Sequence, residues 1–329
     1  MQWEDCQLGP AAFMFGAQMD ERPIGFVMLD DVRPEELQSP PILPPVPVIG
    51  IGAPSHPLAS CCDAILEEGF TPDLLLRQVL ARPRTAAIAM QLLRSMEAVP
   101  MQQALMIESI GYGLLQGSAE HAEWLVSRKA ASEPSAPGQV QVERSGDLLS
   151  IRIDRPAARN AIDRPMRDAL FDAFTLAQFD PEIARIRLQG AGKAFCVGAD
   201  LDEFGTTQDP ASAHLIRSAT LPALAISRCA DRLEVKVQGA CIGAGVEMMA
   251  FAAKVTANKD SWFQLPELSM GVIPGAGGCV SLSRRIGRQR TALMLLSGRR
   301  INAATALEWG LVDALVDDAP GNEGGADIG

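Results

Sequence analysis

The chain has 329 residues, of which 47% are hydrophobic and 21% charged, so it can bury the core of one large domain or two ordinary ones. A formal net charge of −11 excludes the basic surface typical of nucleic-acid-binding proteins. No apolar run reaches the ~18 residues of a membrane-spanning helix, and the N-terminus lacks a secretory signal, so we expect a cytoplasmic protein without a membrane partner.

The seven cysteines and three histidines are scattered along the chain. The cysteines form no CxxC pair, and without a secretory signal they predict reduced thiols rather than a disulfide framework. The histidines lie far apart in the sequence, so we expect no metal site. A Ser-His-Asp arrangement stays open on these grounds, although no GxSxG elbow is present.

The front part of the chain comprises residues 1–128. Its segments IGFVML and VPVIGIG predict two strands. Its segments TPDLLLRQVLARP and QQALMIESIGYGLL predict helices, the second with Met106, Ile110 and Leu114 on one apolar stripe. Residues 129–139 are small, polar and proline-bearing without periodicity, which predicts a linker to the back part.

The back part alternates between the two periodicities of secondary structure. DLLSIRIDRP, IARIRLQG and LEVKVQGA predict strands, IDRPMRDALFDAFTLAQFD predicts a helix, and we expect a further helix over Ser212 to Arg228. This order predicts an α/β fold with crossover connections. The arginines of LSRRIGRQR predict a solvated helix end, and the acidic, glycine-rich residues 317–329 predict a flexible tail.

Two apolar, glycine-rich segments each carry a single carboxylate. GACIGAGVEMM contains Glu247, and SWFQLPELSMGVIPGAGG contains Glu267. A buried carboxylate is costly unless it has a partner or a function. The glycines predict a tight strand-to-helix turn whose first N–H groups are free to stabilise negative charge. With a second loop, CVGADL, such a turn would form an oxyanion hole beside two acid–base groups.

The residues alone leave a structural alternative open. A glutamate early in a helix commonly interacts with the helix dipole, and a glutamate after proline is commonly a solvated residue of the first turn. The glycines taken alone mark only a tight turn.

Residues 140–316 resemble the crotonase superfamily, the enoyl-CoA hydratase and isomerase group. Four motifs in order carry the resemblance: SIRIDRPAARNAI, GAGKAFCVGADLDEF, VKVQGACIGAGVEMMAFA and FQLPELSMGVIPGAGGCVSLSRRIG. The similarity continues through LMLLSGRRINAATALEWGLVDALV. It implies an α/β fold of the crotonase type, a ββα-superhelix spiral with helical trimerisation elements, and a homo-oligomer that is a trimer or a dimer of trimers.

The resemblance also assigns roles by position. The N–H groups of Ala199 and Ala244 match the oxyanion hole, and Glu247 and Glu267 match the two hydratase glutamates. It implies an acyl-CoA substrate and no cofactor. The implied activity is syn addition of water to a trans-2-enoyl-CoA, because isomerases typically keep only the second glutamate. The other positions that it implies for substrate binding are Gly198, Asp200, Leu201, Gly243, Pro274 and Gly275.

Two other activities stay open. One is a Δ3,Δ2-enoyl-CoA isomerase that uses Glu267 alone, and the other is an idle homologue whose front part binds another protein. Two departures from the family pattern bear on the choice: Asp202 stands where a lysine is usual, and relatives continue with further helices beyond the strand that ends near Val316.

The front part offers a candidate for these helices. The rhythm of residues 72–128, with the glutamate of ALMIES in a long helix, is similar to the missing C-terminal segment. We expect residues 72–128 to occupy the position of that segment, as in a circular permutation or a fused copy, with residues 23–66 as an eroded remnant carrying two strands. The alternative is an unrelated helical extension.

Overall fold

A computed structural model describes residues 1–15, 22–33, 41–128 and 136–317. Most of the predicted linker and nearly all of the predicted tail therefore lie outside the described residues. Within these ranges no helix is both long and apolar enough to cross a membrane.

The back part is built on a six-stranded sheet in the order β12-β9-β7-β6-β5-β4. All neighbours are parallel except β4 and β5, which form an antiparallel pair. Residues alternate between buried and more exposed along β5 to β7, as predicted from their periodicity. The strands span Gln139–Ser145 (β4), Leu148–Asp154 (β5), Arg185–Gly190 (β6), Leu233–Val237 (β7), Lys254–Asn258 (β9) and Ala314–Val316 (β12).

A second sheet of three short strands lies next to the glycine turn. Its order is β11-β10-β8, with β8 and β10 parallel. These strands span Ala240–Ile242 (β8), Trp262–Gln264 (β10) and Ile301–Asn302 (β11). The helices of the back part are Arg164–Phe179 (α6), Pro210–Thr220 (α7), Ala223–Arg228 (α8), Ala244–Met249 (α9), Gly278–Ile286 (α10), Arg288–Ser297 (α11) and Ala303–Glu308 (α12).

The single helix predicted over Ser212 to Arg228 is wrong. The chain forms α7 and α8 instead, separated at Leu221 and Pro222. Proline has no N–H to donate and disfavours helical backbone in the residue before it, so a helix cannot run through this point unbroken.

The front part contains a parallel three-stranded sheet and five helices within its described ranges. The strands are Gly25–Met28 (β1), Val48–Ile51 (β2) and Ala64–Ile65 (β3), in the order β1-β2-β3. The third strand was not predicted, because two residues are too short to carry a periodic signal. The helices are Pro10–Phe15 (α1), Pro72–Ala81 (α2), Pro83–Met96 (α3), Met101–Gln116 (α4) and Ala119–Ser127 (α5).

The front and back parts share one hydrophobic core. Polar contacts join them as well. They correct the prediction of a solvated helix end for Arg288 and Arg290 of LSRRIGRQR, whereas Arg284 is exposed as predicted. Arg288 is largely buried and forms an ion pair at 3.4 Å with Asp63, the residue directly before β3. Arg290 forms an ion pair with Glu67 at 2.9 Å. The start of α11 is therefore one of the places where the two parts meet.

Helix α4 packs against α7, α3 and α10, so it lies among elements of both parts. Its predicted apolar stripe points outward: the side chains of Met106, Ile110 and Leu114 are each more than half exposed in the isolated chain. The opposite face of α4 is buried and includes Glu108. This face points towards the glycine-rich segments of the back part.

Candidate active site

The loop CVGADL (residues 196–201) and the glycine turn before α9 lie against each other. Gly243 has a positive φ of 51° and precedes α9, so the chain changes direction sharply between β8 and the helix. Gly198, with φ of 97°, packs on this turn, since a Cβ built on it would lie 3.7 Å from Ala244 N. A larger residue at either position would strain the backbone, because side chains rarely adopt these positive φ values.

Both predicted oxyanion donors are free to bind a ligand. Ile162 forms backbone hydrogen bonds with both neighbours of Ala199: its N–H donates to Gly198 O, and its carbonyl accepts from Asp200 N. The Ala199 N–H takes part in neither bond. Ala244 is the first residue of α9, where an N–H has no acceptor within the helix. No described residue accepts a hydrogen bond from either group. The two adjacent loops thus present two main-chain donors to one cavity.

Glu247 is fixed by the glycine loop that follows the second glutamate. Its Oε2 accepts hydrogen bonds from Ala276 N at 2.6 Å and from Gly278 N at 2.9 Å. Gly278 has to lack a side chain, because a Cβ there would lie 2.4 Å from Glu247 Cγ. Only 3% of Glu247 is exposed. The carboxylate is therefore held in one orientation by backbone groups.

Glu267 enters the same cavity from a short helical turn, Glu267–Met270, which follows Pro266. Its Oε1 would lie 2.8 Å from a Cβ on Gly243, so the carboxyl group sits directly beside the oxyanion turn. Its Oε2 is buried and has no partner among the described residues. An unpartnered buried carboxyl oxygen is unusual and marks a group available to a bound molecule.

Burial raises the pKa of both carboxyl groups. The pKa of Glu247 rises to about 7, with the N–H groups of Ala276 and Gly278 opposing the rise. The pKa of Glu267 is raised well above its ordinary value by burial and then by the charge of Glu247. The N–H groups that bind Glu247 stabilise its charged form, whereas Glu267 Oε2 has no such partner among the described residues. Near neutral pH the pair therefore favours an ionised Glu247 beside a protonated Glu267.

The two glutamates and both alanines line one cavity of about 250 Å³. Of the other positions predicted for substrate binding, Asp200, Leu201, Gly243 and Gly275 also line it. Gly198 and Pro274 do not line it, but each directly precedes a lining residue in the chain, Ala199 and Gly275 respectively. The described residues include no cluster of side chains that could hold a metal ion.

Two residues of α4 belong to the site and carried no assigned role in the sequence. Tyr112 lines the cavity and packs on Gly275, where a Cβ would come within 2.3 Å of its ring. Glu108 accepts a hydrogen bond from Gly277 N at 2.7 Å. The N–H groups of residues 276–278 are thus divided between Glu247 and Glu108. The glutamate of ALMIES was the available signal, but its partner lies 169 positions away.

Glu108 should position the glycine loop. We expect Glu108→Leu to lower the free energy of unfolding by about 1–3 kcal/mol, because the buried Gly277 N–H loses its acceptor. Displacement of Glu247 should also lower kcat by about 10- to 100-fold. Glu108→Gln keeps an acceptor oxygen and should restore most of kcat, whereas Glu123→Leu, at an exposed position of α5, should change neither quantity. Thermal melts and initial rates measure both effects, and a Leu variant with wild-type kcat would refute the role.

Comparison with known proteins identifies the family of the chain. The sequence model of the enoyl-CoA hydratase/isomerase family matches residues 143–320, which is more than half of the chain. The chain belongs to this family.

Individual relatives support the same assignment. The chain is 34% identical over 179 residues to the mevalonyl-coenzyme A hydratase SIDH of Beauveria bassiana, covering 52% of this chain and 64% of the relative. It is 33% identical over 171 residues to the 2,3-dehydroadipyl-CoA hydratase of Escherichia coli, covering 52% and 66%. The chain thus spans slightly less than two thirds of the length of each.

Solved structures share the crotonase fold. An enoyl-CoA hydratase/carnithine racemase from Magnetospirillum magneticum superposes with a TM-score of 0.50 at 27% identity, covering 54% of this chain and 68% of that chain. DspI of Pseudomonas aeruginosa gives a TM-score of 0.50 at 28% identity, covering 57% and 72%. The back part therefore has the predicted fold class, a mixed α/β crotonase architecture.

Proposed function

We propose that the protein is an enoyl-CoA hydratase that adds water across the trans-2 double bond of an enoyl-CoA thioester. The observation that carries this proposal is the presence of two buried carboxyl groups, Glu247 and Glu267, on the wall of one cavity beside two free main-chain N–H groups. Their different environments suit them to opposite roles in proton transfer.

In the proposed reaction the thioester oxygen accepts hydrogen bonds from Ala199 N and Ala244 N. The ionised Glu247 takes a proton from water as the water oxygen bonds to the β-carbon, and protonated Glu267 gives its proton to the α-carbon. The electron pair of the double bond forms the new C–H bond, and the hole carries the enolate charge that develops. Each donor in such a hole is worth about 10²- to 10³-fold in rate. A proton passing from Glu247 back to Glu267 resets the pair.

Two alternatives remain distinct from hydration. A Δ3,Δ2-enoyl-CoA isomerase would need Glu267 to move a proton between carbons, and Glu247 would be dispensable. A catalytically idle homologue would keep the fold and use its front part to bind another protein. The two hydrogen bonds that orient Glu247 favour hydration, since an isomerase has no need of a second oriented base.

The test is an absorbance assay with purified protein and crotonyl-CoA. We expect the enoyl thioester band to disappear as 3-hydroxybutyryl-CoA forms. A 3-enoyl-CoA serves as the second substrate, because an isomerase would convert it and generate the band. Absence of reaction with crotonyl-CoA and with longer trans-2-enoyl-CoA thioesters would overturn the hydratase assignment. Absence of reaction with these thioesters and with the 3-enoyl-CoA would favour the idle homologue.

The proposal extends to the rest of the chain. We propose that residues 72–128 fill the position of the family's C-terminal helices, which is supported by the contact of α4 with the glycine loop. A trimer or a dimer of trimers is supported by the exposed apolar stripe of α4. The cytoplasmic location, the linker and the flexible tail stay predictions.

A further inference from the structure

The cavity contains three arginines, and one of them lacks an acidic partner. Arg164 lies 3.9 Å from Glu203, and Arg167 lies 2.7 Å from Asp168. Arg217 of α7 has no carboxylate at ion-pair distance among the residues that the structure describes. A half-buried guanidinium without a counter-ion is costly, and proteins pair such groups with an anion when one is available.

Arg217 is instead held by neutral groups of α4. Its Nε donates to Ser109 Oγ at 3.1 Å, its Nη1 to Gln116 Oε1 at 3.0 Å and its Nη2 to Ser109 O at 3.1 Å. Its guanidinium also stacks over the ring of Tyr112, 4.6 Å from the centroid. These contacts fix its orientation, and they leave N–H groups of the guanidinium over for a ligand.

Glu108, the carboxyl group that acts on Arg217 electrostatically, does not neutralise its charge. Glu108 lies beyond ion-pair distance, and its Oε1 is taken by Gly277. Burial and the charge of Glu247 raise the pKa of Glu108 well above its ordinary value, so its neutral form is favoured. Burial in turn lowers the pKa of Arg217, as expected for a desolvated cation.

Arg217 and Tyr112 line the same cavity as Glu247, whose carboxylate is held by Ala276 N. An acyl chain with its β-carbon beside Glu247 that extends towards Tyr112 would end at Arg217. The neighbouring Gly275 packs on the Tyr112 ring, and Arg217 stacks on that ring in turn. The Tyr112 hydroxyl forms no hydrogen bond with the described residues, so a second donor faces the same region.

We propose that Arg217 and Tyr112 form a binding site for a carboxylate at the distal end of the acyl group. The substrate class is then the mono-CoA thioesters of unsaturated dicarboxylic acids. This assignment rests on the proposed hydratase activity for its reaction. The guanidinium would bind the terminal carboxylate through its remaining N–H groups, and the Tyr112 hydroxyl would add one hydrogen bond.

The test compares matched thioesters of equal chain length that end in a carboxylate or in a methyl group. We expect kcat/KM to favour the carboxylate-terminated enoyl-CoA by about 10- to 100-fold, the effect of a hydrogen bond to a charged group. Both substrates share the CoA moiety, so contacts to CoA cancel in the ratio. A ratio near one in the wild-type protein would overturn the proposal.

Variants separate recognition from a structural role of Arg217 between α4 and α7. Arg217→Met should bring the ratio close to one, and Arg217→Lys should keep part of it. Arg167→Gln is the matched control, a cavity arginine that already has an acidic partner, and it should leave the ratio unchanged. Should Arg217→Met fail to fold, Tyr112→Phe offers a milder change that should lower the ratio by about threefold to tenfold. A ratio unaffected by Arg217→Lys and Tyr112→Phe would count against the site.

Binding of unreactive thioesters keeps the test independent of turnover. Titration calorimetry with adipyl-CoA and hexanoyl-CoA should show tighter binding of the first, lost in Arg217→Met. If neither enoyl-CoA is hydrated but this difference in affinity persists, the hydratase assignment fails and the carboxylate site stands. If the enoyl-CoA substrates are hydrated but the two affinities are equal, the hydratase assignment stands and the carboxylate site fails.

Discussion

Glu267→Gln should abolish hydration, with a fall in kcat of up to about 10⁴-fold, the upper range for a single acid–base group. The amide has nearly the same shape as the carboxyl group but cannot deliver a proton to the α-carbon. Initial rates with crotonyl-CoA measure the effect. Glu308→Gln, at an exposed position of α12, is the control and should keep wild-type turnover.

The same variant should not lose stability. The raised pKa of Glu267 means that the native protein binds this proton more tightly than the unfolded chain does. Its contribution to stability therefore falls as pH rises from the unfolded value of ~4.5 towards the folded pKa. Glutamine cannot ionise, so at pH ~8 the melting temperature of Glu267→Gln should equal or exceed that of the wild type. Lost activity accompanied by a large drop in melting temperature would instead indicate a structural role.

Glu247→Gln should lower kcat by about 10²- to 10³-fold and change the pH dependence of the reaction. In the proposed mechanism the productive form has Glu247 ionised and Glu267 protonated. The wild-type rate should therefore rise with pH through an apparent pKa of about 7, as the pair loses its first proton, and fall again once the pair loses its second. The variant should lack the rise.

The pH profile of kcat/KM tests this assignment. Glu203→Gln is a matched control, because Glu203 also lines the cavity but pairs with Arg164, and its profile should keep the rise. A rise that survives in Glu247→Gln would assign the ionisation to a different group. An isomerase would tolerate Glu247→Gln with little loss, so the variant also separates the two reactions.

The coupling between the two carboxyl groups depends on how deeply they are buried. Glu267 is 7% exposed and Glu247 only 3%, and both lie against glycines that leave no room for a side chain. Neither the burial nor the difference between the two pKa values could be predicted from spacing, because both depend on what packs around the pair. The structural alternative for each glutamate stayed open in the sequence for this reason. In the folded chain both carboxyl groups face the cavity.

What the sequence determined by itself was local. Alternating residues predicted β5, β6 and β7, and the glycines at 243 and 245 predicted the turn into α9, because strand period and turn geometry depend on neighbours in the chain. The motifs of the back part identified the family because each of them is a short stretch of neighbouring residues. The break at Pro222 was also a local signal. It was missed because the helical patterns on both sides of the proline predicted one continuous helix.

The contribution of α4 was decided only by tertiary structure. Glu108 meets Gly277 across 169 positions, and Arg217 meets Ser109 across 108. Periodicity indicates which face of a helix is apolar, but it does not identify the element that a polar residue on that helix will contact. For the same reason the stripe of Met106, Ile110 and Leu114 was visible in the sequence. Its exposure, and the contact of the opposite face with the glycine loop, depended on long-range packing.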